Sequence, residues 1–184
     1  MDTKLVKDLM LPLDHYAVVD QEATLLDALK ALEAAQMNLP PGRHRHRGVL
    51  IRDKAGRIVG KIGQLAFLKA LEPKYNVLGD LGTLARAGVN AEFISSMMDH
   101  YQFFQDNFTD LCPRACRIGV SEVMHPVTEN IDENASLREA IHRIVMLQTL
   151  SILVMRNGQV VGLLRLSDLF DEVAREMKAQ AEGP

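Results

Sequence analysis

The sequence contains no tryptophan and few other aromatics, six phenylalanines and three tyrosines, so its core has to be built from aliphatic side chains. Its two cysteines, Cys112 and Cys116, are too few for a disulfide scaffold and point to a reducing compartment. No apolar run approaches the roughly 18 residues of a membrane-spanning helix. The opening MDTKLVKDLM also lacks the charged-then-apolar layout of a secretory signal. The expectation is a soluble, cytoplasmic protein with no membrane span. A formal net charge of −3 leaves no general basic surface for nucleic acid. H-E-x-x-H, nucleophile-elbow, Walker and dinucleotide motifs are all missing. The chain is therefore expected not to be an enzyme, with no catalytic residues, no metal site and no required cofactor. What remains is ordinary globular composition, 47% hydrophobic and 24% charged over 184 residues, one domain or two halves sharing a core.

A repeat organises the chain. Val6-Lys7-Asp8-Leu9-Met10 recurs as Val120-Ser121-Glu122-Val123-Met124, Ala23-Thr24-Leu25 as Ala135-Ser136-Leu137, and Arg57-Ile58-Val59-Gly60 as Gln159-Val160-Val161-Gly162. Landmark order is kept while the separation shortens, which places a longer connection in the first copy, around MNLPPGRHRHRG. Each copy reads β-α-β-β-α. Ala17–Val19 and Thr128–Ile131 are short strands, each followed by a capping box, Thr24 with Asp27 and Ser136 with Glu139. Leu137, Ala140, Ile141, Ile144 and Val145 form one helical face. Asn157-Gly158 suits a two-residue hairpin turn with positive φ, and Lys54-Ala55-Gly56 holds the same place in the first copy. Ser167 and Asp168 open the last helix, with its stripe of Leu169, Phe170, Val173, Ala174 and Met177. Between the copies, Asn90 caps a helix whose stripe runs Phe93, Ile94, Met97, Met98, Tyr101 and Phe104. The first helix, with Leu25, Leu26, Ala28, Leu29, Leu32 and Ala35, is apolar nearly all round and requires cover on more than one side, as in a homodimer.

These residues resemble tandem cystathionine-β-synthase (CBS) domains, the paired regulatory unit often called a Bateman module. The second copy carries the closer match, from Val120-Ser121-Glu122-Val123-Met124-His125-Pro126 to Gly162-Leu163-Leu164-Arg165-Leu166-Ser167-Asp168. The resemblance implies an α+β fold, two β-α-β-β-α units packed as a pseudo-two-fold pair: residues 1–72, a helical insertion over 73–117, and residues 118–184. It also implies a non-catalytic module that binds AMP, ADP or ATP between the units and modulates a separate effector protein. The alternative is a ligand-free CBS-fold scaffold for dimerisation or interaction.

Asp168 matches the family's ribose-binding aspartate, at a helix start whose N–H groups favour phosphate, and Ser167 adds a hydroxyl beside it. Arg165 stands where the family has Thr or Ser; a guanidinium there suits phosphate. Thr128, Leu150 and Ser151 complete the ligand set implied on this copy. The first motif has Gly63 and Ala66 at the equivalent places and has lost both polar handles. One nucleotide per chain is therefore expected. Its phosphates are approached by Arg165 and by His46 and Arg47 from the basic run Arg43-His44-Arg45-His46-Arg47, which otherwise reads as a solvated loop. Cys112 and Cys116, at i and i+4 without a second ligand pair, read as two small buried hydrophobes rather than a thiol or metal site.

Overall fold

The computed structural model describes residues 4–39, 42–78 and 88–181. The first half runs β1 (Leu11–Pro12), β2 (Val18–Asp20), α1 (Leu25–Met37), β3 (Gly48–Arg52), β4 (Ile58–Gly63) and α2 (Gln64–Ala70). Helices α3 (Ala91–Tyr101) and α4 (Phe108–Ala115) intervene. The second half runs α5 (Val120–Val123), β5 (His125–Pro126), β6 (Asn130–Asp132), α6 (Leu137–Leu147), β7 (Ser151–Arg156), β8 (Gln159–Arg165) and α7 (Leu166–Ala181). This is a mixed α+β fold with two four-stranded sheets, ordered β2-β3-β4-β5 and β1-β8-β7-β6.

The local signals act where the sequence puts them. Thr24 Oγ1 accepts from the Asp27 N–H at 3.3 Å while the Asp27 carboxylate accepts from the Thr24 N–H at 3.0 Å. Ser136 makes only one half of its box, accepting from the Glu139 N–H at 3.2 Å, because the Glu139 carboxylate turns to Arg143. Asn157 and Gly158 both take positive φ, 51° and 78°, as a primed hairpin turn requires. In the first copy Asp53 accepts from the N–H groups of Ala55 and Arg57 and so closes the turn.

The lead-in segments of the two copies cross over. β1, from the first copy, pairs with β8 of the second, and β5 pairs with β4 of the first. The exchange is matched at its central hydrogen bond. The Val6 N–H donates to the Ala135 carbonyl at 3.0 Å, and the Val120 N–H to the Ala23 carbonyl at 2.9 Å. Asp8 and Glu122 cap the two short turns by accepting from the N–H groups of Leu5 and Gly119. Val6 is buried among Ile131, Leu137, Ile144 and Leu164 of the second unit, and Val120 among Leu25, Val49, Ile51 and Ile62 of the first. Each buried valine contributes about 1.5–3 kcal/mol to the other half of the chain. A third cluster, Leu50, Leu153 and Leu163, forms the aliphatic seam between the sheets.

The insertion departs from its expected stripe. α3 ends at Tyr101 because Gln102 takes the left-handed conformation. Phe104 therefore lies beyond the helix, its N–H donating to the buried Glu72 carboxylate at 2.7 Å. The buried aromatic is instead Phe103, stacked on Tyr75 at 4.8 Å. The cysteines also depart from expectation. Leu111 and Ala115 take the inner face of α4, which leaves Cys112 exposed and Cys116 half-buried.

Gly60 and Gly162 face the exchanged strands, opposite Pro126 and Pro12. A Cβ on Gly162 would lie 2.6 Å from the Leu11 carbonyl oxygen, whereas one on Gly60 would meet the Met124 sulfur at 2.5 Å. A thioether end can swing aside and a strand carbonyl cannot. Gly162→Ala is expected to cost about 1–3 kcal/mol and Gly60→Ala clearly less, as read from urea unfolding midpoints. Equal losses would contradict this account of the exchange.

Candidate ligand-binding cleft

Strand β8 delivers the candidate site. Leu163 and Leu153 pair across β8 and β7 and face the seam; two residues on, Arg165 and Ser151 pair in the same register. Side chains alternate along a strand, so Arg165 also faces the seam. The chain then turns into α7, where the Leu166 N–H donates to the Leu150 carbonyl at 2.9 Å. Within the first turn of that helix Asp168 meets Arg165. Nε and Nη2 of Arg165 donate to the two carboxylate oxygens at 2.5 and 2.7 Å. Both residues are buried, Arg165 5% and Asp168 4% exposed.

The first unit closes over this pair. Arg165 Nη1 donates to the His44 carbonyl at 2.9 Å, Arg43 reaches to 3.8 Å from the Asp168 carboxylate, and His44 Nε2 lies 2.7 Å from Asp171. An open cleft of about 440 Å³ runs outward from here, lined by Lys4, Arg43, His44, Asp171, Glu172 and Arg175 among others. Glu172 is buried between Lys4 and Arg175, each at 2.5 Å. The Lys4 ammonium holds its carboxyl below the usual range, aided by Arg175 against the opposing effect of burial.

His46 is 1% exposed and packs edge-on against Tyr16, ring centroids 4.7 Å apart. Its backbone is pinned by Gln36, which donates to the His46 carbonyl at 2.7 Å and accepts from its N–H at 3.1 Å. Neither ring nitrogen has a hydrogen-bond partner. Burial, then the Arg165 charge, holds the imidazole below its ordinary value. The His15 backbone works in the opposite direction but lies outside hydrogen-bond geometry. Burial also pushes the Tyr16 phenol up to about 12, keeping it a neutral hydroxyl.

A second cation enters the seam from β4. Lys61 Nζ donates to Thr149 Oγ1 at 3.2 Å and to the Ser151 carbonyl at 3.4 Å. Its desolvation lowers the ammonium's pKa, and Glu129 is the acid that opposes this. Among the residues singled out from sequence, the structure thus gathers Asp168, Arg165 and His46 around one end of the seam, with Ser151 across the strand pair. Ser167 is half-buried beside Asp168; Thr128, Leu150 and Arg47 are exposed. In the first motif Gly63 caps α2 without a side chain and Ala66 is buried in its unit's core. Lys61, Tyr16 and Gln36 escaped the sequence reading. Only Lys61 left a signal, a lone charge in the apolar strand Ile58-Val59-Gly60-Lys61-Ile62.

Comparison with known proteins agrees with this architecture. Residues 120–175 match the CBS domain family, and no curated protein matches the chain. A solved structure from Methanocaldococcus jannaschii aligns at TM-score 0.57 and 20% identity, over 94% of this chain and 60% of its own, so this chain spans under two thirds of that protein. The protein CBSX2, solved in complex with AMP, aligns at TM-score 0.58 and 16% identity, over 93% of this chain and 97% of its own. The CBS domain of a bacterial CNNM/CorC family Mg2+ transporter, solved with ATP, aligns at TM-score 0.59 and 16% identity, over 94% and 89%. Residues 120–175 thus match a CBS domain, and the chain as a whole has the fold of the CBS-domain structures it aligns with.

His46 supplies a direct test of the site's internal electrostatics. Replacing the unpaired ring in His46→Phe is expected to raise unfolding stability by about 1–3 kcal/mol at pH 7. The folded imidazole titrates below the ordinary 6.5, so the unfolded chain binds the proton more readily and wild-type stability falls as the pH drops through and below about 6.5. His46→Phe should flatten that slope in thermal melts run across the same window. An unchanged slope would mean the ring is not desolvated.

Proposed function

We propose that the chain is a non-catalytic regulatory module that binds an adenine nucleotide between its two units and thereby modulates a separate effector protein. The observation that carries this reading is the convergence at Asp168: a carboxylate in the first turn of α7 with guanidinium groups from both units, Arg165 and Arg43, within reach. A carboxylate suits ribose hydroxyls, and arginine forks suit phosphate. The AMP and ATP held by the two structural relatives support the ligand class. In this reading Asp168 and Ser167 take the ribose and Arg165 with Arg43 the phosphates, while Thr128, Leu150, Ser151, His46 and Arg47 are assigned to the rest of the ligand's surroundings. We place the protein in the cytoplasm. A ligand-free scaffold is the second reading, favoured by the loss of polar groups at Gly63 and Ala66.

Because Asp168 is paired, removing its side chain outright would strand a buried guanidinium; Asp168→Asn keeps the shape and one acceptor. The expected loss of ADP affinity is roughly 10- to 150-fold with the fold retained by circular dichroism. Calorimetry giving equal affinities would remove Asp168 from the site.

We also propose a homodimer. Leu26 and Leu29 on α1 with Leu65 and Leu68 on α2 stay exposed on the first unit, as do Val145, Met146, Phe170 and Met177 on the second. Apolar helical faces of this kind mark association surfaces. Light scattering is expected to give twice the chain mass of 20.5 kDa; the single-chain mass at micromolar concentration would contradict the dimer.

A further inference from the structure

We propose that Arg165 is a phosphate-dependent latch on Asp168, so that the cleft admits nucleoside phosphates and rejects nucleosides. The inference rests on the nucleotide reading above and adds to it a selection rule. Both oxygens of the carboxylate are already taken by the guanidinium, at 2.5 and 2.7 Å, and with the pair almost wholly buried a ribose cannot share Asp168 without moving Arg165 away. A displaced guanidinium in that desolvated place is costly unless it finds another anion. A ribose hydroxyl replaces Arg165 at the carboxylate but offers it no charge in return. A phosphate does, in the bidentate geometry arginine prefers.

The surroundings are arranged for such an exchange. Among the described residues, Arg165 is hydrogen-bonded to the first unit through the His44 carbonyl. Arg43, half-exposed at the cleft mouth and 3.8 Å from Asp168, keeps a cation beside the carboxylate when Arg165 leaves. His46, buried with neither ring nitrogen paired, lies within the field of the same pair. It is a buried polar group that this arrangement leaves unsatisfied next to the pair.

The test is calorimetric titration of the whole chain with adenosine and with ADP, for wild type, Arg165→Ser and Arg165→Lys. Wild type should bind ADP at least about tenfold tighter than adenosine. In Arg165→Ser, freeing the carboxylate should tighten adenosine roughly tenfold while ADP weakens, so that the preference collapses. Arg165→Lys keeps the charge but not the planar fork that occupies both oxygens; adenosine should again tighten, with ADP held near its wild-type affinity. This variant carries the test alone if Arg165→Ser fails to fold. ADP binding to wild type with no gain in adenosine affinity in either variant overturns the latch and leaves the sensor reading standing. Failure of wild type to bind either ligand overturns both.

Discussion

Neither sheet is complete within its own half of the chain. The strand carrying Pro12 completes the second sheet, and the strand carrying Pro126 completes the first. The buried valine ahead of each strand fills the core it visits. Everything else in the arrangement depends on this reciprocity. It holds the sheets face to face over Leu50, Leu153 and Leu163, and so brings the end of β8 under the His44 carbonyl of the other unit. It also explains residue choices that composition leaves arbitrary. The acid in each lead-in caps a short turn, each methionine covers a glycine of the opposite unit, and those glycines stay small because a backbone or thioether lies against them.

The seam is aliphatic at its centre and ionic at its end. Leucine contacts are non-directional and supply burial; the Arg165–Asp168 pair supplies little net stability, since desolvating two charges offsets most of their attraction. A buried bidentate pair of that kind is weakly justified by stability alone. It makes better sense as a fixed geometry with a defined alternative partner. Lys61, meeting only neutral oxygens of the second unit, gives the seam a second positive group that no acid neutralises at contact distance among the described residues.

Much of the fold was legible because the signals were local. The Thr24–Asp27 box, the Asn157-Gly158 turn and the Asn90 cap depend on neighbours within three residues, and each acts as read. Register arithmetic also held: Gly162 faces Pro12 as Gly60 faces Pro126, so Ala66 and Asp168 occupy equivalent places. The exchange was not legible, since a valine's spacing does not say whose core it enters. His46 shows the same limit: in a run of alternating Arg and His, charge suggests solvent, yet the side chain at that strand approach points under Tyr16. Cys112 and Phe104 were misplaced because helical periodicity does not register a face taken by Leu111 or a left-handed residue at Gln102.

The crossed lead-ins also set an order for folding during synthesis. When the ribosome has released the first β-α-β-β-α half, its sheet still lacks β5 and its core lacks Val120, residues not yet made. The half must wait with an unpaired strand edge, a state prone to mispairing. Meanwhile Val6 and β1 have no docking place until β8 emerges more than a hundred residues later. Each half completes its sheet only with a strand of the other, so the insertion between them tethers two partners that finish one another.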